Sequence, residues 1–292
     1  MIYRVQHTTA YDYTEVVSIC HNELHLRPRD SSLQTCSAYE LLVRPGPAVS
    51  SERLDYFGNH VTFLAVQEPH RRLTVTTRST VEVRPVELPP PAETPAWDSV
   101  RDRLRYDRAP TELEAYQYVF DSPYVISSSV LRRYAAASFP PGRPLLAAVL
   151  DLTRRMHSDF TYDPKATSVH TPVPEVLHHR RGVCQDFAHV HIGCLRALGL
   201  AARYVSGYLI THSPPGQPRL IGADASHAWV SVYCPGFGWI DTDPTNNVVP
   251  SDRHITVALG RDYSDVSPIK GVFLGGGRHT VKVAVDVMSV EV

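Results

Sequence analysis

Cys184 opens the segment "CQDFAHVHIGCLRALGL" (184–200), directly after "RRGV". A cysteine in the first turn of a helix sits among unpaired N–H groups and a partial positive charge, which favour thiolate over thiol. Arg180 and Arg181 stand just upstream and add to that field. The plainer alternative is a buried thiol, since free cysteine packs as a small apolar residue. Nearby histidines do not supply a base. His189 is rotated by roughly 140° from Cys184, and His191, on the same face, is displaced by about 10 Å along the axis. Both are read as helix-surface or packing residues, so the base must come from another element.

The segment "SHAWVSVYCPGFGWIDTDPTNN" (226–247) offers one. Two strand-like runs flank "CPGFG", whose proline and glycines are turn chemistry. With the loop centred on Pro235, Trp229 faces Asp241 and His227 faces Asp243. Opposed residues have Cβ atoms about 4.5–5.5 Å apart, close enough for a carboxylate to orient an imidazole. Asp241 is then diagonal to His227 and is the second choice. Pro244 confines Asp243 to extended geometry and ends the strand. A thiol at a helix start with a His–Asp pair on strands has the make-up of a Cys-His-Asp triad acting on amide carbonyls.

The three blocks "RRGVCQDFAH", "DASHAWVSVYCPGFGW" and "DTDPTNN" resemble those of the transglutaminase-like superfamily, whose catalytic organisation is papain-like. The resemblance implies Cys184 as nucleophile, His227 as general base and acid, and Asp243 as orienting carboxylate. The opening "YRVQHTTAYDYTEVVSICHNELHLRPR" and "DYFGNHVTFLAV" are similar to the N-terminal β domain of bacterial members, and the tail from Asp252 is similar to their C-terminal segment. Animal relatives require calcium. No Asp-x-Asp-x-Asp-Gly loop or acidic oxygen-ligand cluster occurs here, and no zinc-type spacing such as His-Glu-x-x-His, so neither metal nor cofactor is expected. The Cys184 N–H is the natural first oxyanion donor. Gln185 and Tyr162 are candidates for the second, and Asp224 and Ser226 for shaping the site. Asp252, His254, Arg261 and Asp262 in the tail are read as structural polar contacts.

These groups need elements to hold them. Residues 1–88 carry alternating β-rich runs separated by turn signals such as "RPGP" and "FGNH", predicting an antiparallel β-sandwich-like domain. Five prolines between 84 and 97 break any regular pattern, and residues 89–110 are expected to be a Pro-rich linker. Residues 111–292 are expected to form the catalytic core with a C-terminal β segment. Within it, 143–160 and 184–198 have helical spacing, and "AARYVSGYLI", "SHAWVSVY", "GWIDTD" and "RHTVKVAVDVMSV" read as strands. Residues 212–226 read as an exposed loop. The fold class is α+β, helices packed on an antiparallel sheet.

With 29 Lys+Arg against 30 Asp+Glu, the chain shows no electrostatic footprint for nucleic acid or an anionic membrane. No membrane span or secretory leader is visible. Five scattered cysteines, without a Cys-x-x-Cys, argue against a disulfide framework, and a reducing cytoplasm is the expected setting. The expected activity is thiol-dependent acyl transfer on a peptide or protein amide, hydrolysis foremost. The alternatives are glutamine transamidation and a non-catalytic peptide-binding module on the same fold.

Overall fold

The structure is a computed structural model that describes residues 1–107, 109–210 and 225–290. Its first part is all strand: β1 (Ile2–Leu24), β2 (Gln34–Arg44), β3 (Val49–Leu54), β4 (His60–Val66) and β5 (His70–Val83). Along β1 the residues Tyr3, Val5, His7 and Thr9 are buried while Arg4 is exposed, the two-residue period of a strand with one covered face. β1 is long and bends at irregular registers between Asp12 and Ile19. Its first half pairs with β5, and β2 lies beyond; its second half pairs with β4, and β3 lies beyond. Residues of both halves (Val17, Leu24, Leu64 and Leu73 among them) share one apolar cluster, which gives the unit its sandwich-like character.

A helical stretch follows: α1 (Trp97–Tyr106), α2 (Pro110–Tyr116), α3 (Ser129–Ala136) and α4 (Leu145–Asp159). Then come β6 (Thr161–Tyr162), α5 (Val173–His179), β7 (Arg181–Gly182) and the central α6 (Cys184–Ala197). The chain continues through β8 (Ala202–Leu209), β9 (Ala225–Cys234), β10 (Gly238–Thr242), β11 (His254–Gly260), α7 (Tyr263–Val266), β12 (Ile269–Gly275) and β13 (His279–Val290). Four of these strands form an antiparallel sheet in the order β10-β9-β8-β11, and α6 packs on it. Every residue of α6 from Asp186 to Ala197 is buried, so the helix is covered on all sides. Each of its large side chains, such as Phe187, Ile192 and Leu195, contributes roughly 1.5–3 kcal/mol by leaving water.

Two domain limits differ from the sequence expectation. The tail does not stay with the core: β12 and β13 both pair with β1, so the first sheet has seven strands drawn from both ends of the chain. The alternating valines of 281–287 announce a strand, but alternation does not say which sheet accepts it. Nor is 89–110 a bare linker. It holds α1, whose Trp97, Val100 and Leu104 are buried in the main core. That core is continuous with Tyr3, Val5, Val285 and Val287 of the first sheet.

The first sheet is also pinned to the second by side-chain amides. Gln34 donates to the carbonyl of Thr256 and accepts from its N–H, each at 2.8 Å. Asn59 does the same with Leu259, again at 2.8 Å each way. These amides occupy the outer edge of β11, which would otherwise offer unpaired backbone groups to another chain. Among the described residues, no helix is long and apolar enough to cross a membrane.

Candidate active site

Local chemistry fixes where α6 begins. Val183 is extended (φ −114°), and the carboxylate of Asp186, one turn on, accepts its N–H at 2.8 Å and the Thr167 hydroxyl at 2.6 Å. Burial pushes the Asp186 carboxyl pKa up, opposed by those two hydrogen bonds. Gly182 must be glycine: a Cβ there would lie 2.5 Å from an Asp186 carboxylate oxygen. The pairing of Tyr162 with Gly182 steadies the approach to the helix. Cys184 is thus held at the first position of a central helix, with its side chain open to a cleft. Arg180 and Arg181 engage Asp159 and Asp163 at 3.7 and 3.8 Å, so their charge is met there and not directed at the sulfur.

His227 lies on β9, nearly buried, directly opposite Gly207 on β8. The missing side chain at Gly207 lets the Trp229 ring fold over the sheet; a Cβ would come within 2.5 Å of that ring and 2.1 Å of the Ile255 carbonyl oxygen. Trp229 then stacks beside His227 (6.1 Å between centroids) and meets the ring of His254 edge-on at 5.2 Å.

His227 Nε2 sits 2.7 Å from Asp243 Oδ2. The hairpin register that brings them together is not the expected one. Trp239 pairs with Tyr233 and Asp241 with Ser231, so the loop is centred on Gly236, not Pro235. The correction moves the partner strand by two residues, an even number, so every side chain keeps its face. Asp241 accepts instead from the Trp229 indole N–H at 2.8 Å. Asp243 lies just beyond β10, turned by a bridge to Val248, and reaches His227 diagonally.

Asp243 is fully buried and richly donated to. The backbone N–H groups of Thr245 and Asn246 reach its Oδ1 at 2.9 and 3.2 Å. The Asn246 side-chain amide donates to Oδ2 at 2.7 Å, and His254 Nε2 lies 3.3 Å from the same oxygen. Burial alone would raise this carboxyl's pKa, but the hydrogen bonds from His227, His254 and Asn246 hold it far below the carboxylate range. For His227, burial opposes the imidazolium, yet hydrogen bonds to Asp243 and Cys184 and their negative charge push its pKa up to about 10. With Nε2 on the carboxylate, Nδ1 is the nitrogen left for the sulfur.

His227, Asp243 and His254 form the one group among the described residues whose donor atoms cluster tightly enough for a metal. The 2.7 Å separation of the first two is that of a hydrogen bond; two ligands of one tetrahedral zinc stand about 3.4 Å apart, given metal–nitrogen bonds of ~2.1 Å. The arrangement fits mutual hydrogen bonding better than shared coordination.

The other sequence candidates fall out as follows. Gln185 lies at the cleft beside Cys184, its amide donating to the Val169 carbonyl at 3.2 Å. Tyr162 is exposed, with its hydroxyl pKa raised by burial of that group and by negative charge at Cys184. Asp224 lies outside the described residues, and Ser226 lines the cleft. In the tail, Asp262 caps α7 and accepts from the Tyr124 N–H, and Arg261 pairs with Asp265; both are structural, whereas His254 joins the site. His189 and His191 are buried, not on a surface: His189 accepts from the Tyr263 N–H, and His191 meets Thr153 at 3.1 Å. Burial lowers their pKa values to about 4 and about 3. That β1 and β13 wall the cleft is not legible in local pattern, because it follows from which sheet the tail joins.

The cleft has a volume of about 530 Å³. On one side stand Cys184, His227 and Tyr204; on the other stand His7, Thr9 and Tyr11 of β1 with the valines of β13.

Comparison with known proteins finds two matching regions. Residues 3–82 match the bacterial transglutaminase-like N-terminal region and residues 133–244 the transglutaminase-like superfamily. An uncharacterized protein of Mycobacterium tuberculosis is 44% identical over 301 residues, covering 99% of this chain and 93% of that one. One from Mycobacterium leprae is 35% identical, covering 97% of each. A protein-glutamine gamma-glutamyltransferase of Pseudomonas aeruginosa is 34% identical over 121 residues, 40% of this chain and 18% of its own. The crystal structure of a candidate cysteine protease from Cytophaga hutchinsonii shares the fold, with a TM-score of 0.77 at 21% identity over all of this chain and 91% of that one. The chain belongs to the transglutaminase-like superfamily, a family of thiol-dependent enzymes.

Proposed function

We propose that this transglutaminase-like protein hydrolyses amide bonds of peptides or proteins through Cys184, His227 and Asp243. The observation that carries the reading is the 2.7 Å contact of His227 with a buried, multiply donated Asp243, on an imidazole that lines the same cleft as Cys184. Sγ attacks the amide carbonyl carbon, and the oxyanion meets the Cys184 N–H at the start of α6. His227 passes its proton to the departing amine as the C–N bond breaks, leaving a thioester. It then takes a proton from water, whose oxygen attacks the thioester and releases a carboxylic acid and the thiolate. Asp243 holds the ring in one orientation and supports its cationic form.

Transamidation differs only in the last step, where an amine replaces water. The local likeness to the Pseudomonas protein-glutamine gamma-glutamyltransferase keeps it as the second reading.

The test is iodoacetamide labelling of native protein from pH 5 to 9, with the modified cysteine identified by mass spectrometry. Fast labelling of Cys184 over the other four cysteines, slowed at pH 6 by His227→Ala, is expected. Slow, unselective labelling that ignores the substitution would move the chain to a non-catalytic binding role. Where hydrolysis operates, a peptide amide incubated with excess glycinamide yields mainly the free acid.

A further inference from the structure

The wall facing the thiol is unusual in two respects. β13 presents Val281, Val283 and Val285 to the cleft, two residues apart and therefore on one face, about 6.8 Å from each to the next. Val281 and Val283 are 46% and 55% exposed, apolar surface left open beside the reacting group. Tyr11 and Ile269 extend it. Second, among the described residues lining the cleft there is no Asp, Glu, Lys or Arg. Lys282, between the valines, is not among them. The one histidine on this wall, His7, has both ring nitrogens engaged, Nδ1 with the Tyr208 hydroxyl at 3.1 Å and Nε2 with Thr9 at 2.9 Å. Burial holds its pKa down to about 4, so it is neutral at pH 7.

We infer that the cleft takes an uncharged, apolar peptide segment in extended form, its alternate side chains against Val281 and Val283 while its carbonyl meets Cys184. An extended peptide repeats on each face every two residues, the same period as the valine row. Aliphatic or aromatic side chains remove this exposed surface from water. A carboxylate or ammonium along β13 loses hydration and meets no Asp, Glu, Lys or Arg among the described residues that line the cleft. This deepens the proposed hydrolase reading and rests on it: a γ-glutamyl or other acidic amide is disfavoured as the group lying along β13.

Three tripeptide aldehydes with Leu, Asp or Lys next to the aldehyde-bearing residue test this without turnover. The Cys184 sulfur adds to the aldehyde carbon and the proton goes to its oxygen, a reversible hemithioacetal that shields the thiol from iodoacetamide. The Leu compound is expected to half-protect Cys184 at a concentration at least about tenfold lower than the Asp or Lys compounds. Val283→Asp, on an exposed strand position, is expected to shrink that preference to about twofold or less, each protection curve being normalised to the variant's own labelling rate without aldehyde. Val283→Thr, nearly the same shape, gives an intermediate value. Equal protection by all three aldehydes, or tighter binding of a charged one, overturns the inference. So does an unchanged preference in both variants. Failure of Cys184 to label selectively without any aldehyde is a different result and strikes the hydrolase reading instead.

Discussion

His227 and Asp243 meet at 2.7 Å although they are not opposite one another in their hairpin. The strand leading to Asp243 ends at Thr242, and a short bridge from Asp243 to Val248 turns the carboxylate back towards the imidazole. Asp241, still within the strand, is engaged by Trp229. Asp243→Asn is expected to lower turnover by about 10³–10⁴-fold, because an amide favours the wrong ring tautomer. Asp241→Asn keeps a carbonyl oxygen to accept from the Trp229 indole N–H and should cost no more than about tenfold. Steady-state kinetics on both variants decide it, and the reverse order would transfer the orienting role to Asp241.

In the proposed mechanism His254 would act through Asp243, to which it stands at 3.3 Å. Its other ring nitrogen has no hydrogen-bond partner among the described residues. His254→Ala should reduce kcat/KM by about ten- to a hundredfold, the usual effect of removing a group that orients a reacting one. His254→Gln, which keeps an N–H donor of similar reach, should recover most of it. Equal losses in the two variants would reduce His254 to a packing residue for Trp229.

The protonation of His227 sets a pH window for stability. Its folded pKa is raised to about 10 from an unfolded value near 6.5, so the folded protein binds more protons between those limits. The His227 contribution is therefore complete below about pH 6.5 and lost as pH rises towards 10. Urea midpoints of wild type and His227→Gln should differ most at pH 6 and converge by pH 10. A gap that widens with pH would mean that the resting imidazole is neutral.

Gly182→Ala probes the helix start. The new Cβ must displace the Asp186 carboxylate, at a cost of about 1–3 kcal/mol in unfolding free energy. Because Asp186 ties down Val183 beside the nucleophile, labelling of Cys184 at pH 6 should slow as well. Loss of stability with labelling at the wild-type rate would separate the cap from the chemistry.

The blocks around Cys184, His227 and Asp243 are readable because they are local. A cysteine after "RRGV", a turn in "CPGFG" and an Asp before Pro each state their own backbone geometry. Even the misjudged hairpin centre did little harm, since a two-residue shift leaves faces unchanged. What sequence hid was pairing at long range. Strands 269–275 and 279–290 look alike whichever sheet accepts them, and their choice of β1 is what turns Val281 and Val283 towards Cys184. His254 was hidden for the same reason. It reaches Asp243 only once β11 lies beside β8.

The pairing of β1 with β13 makes one ladder answerable for the whole wall. Tyr11, Thr9 and His7 stand opposite Val281, Val283 and Val285, so a slip of this pairing by a single residue would turn every one of those valines to the other face of the sheet, away from Cys184.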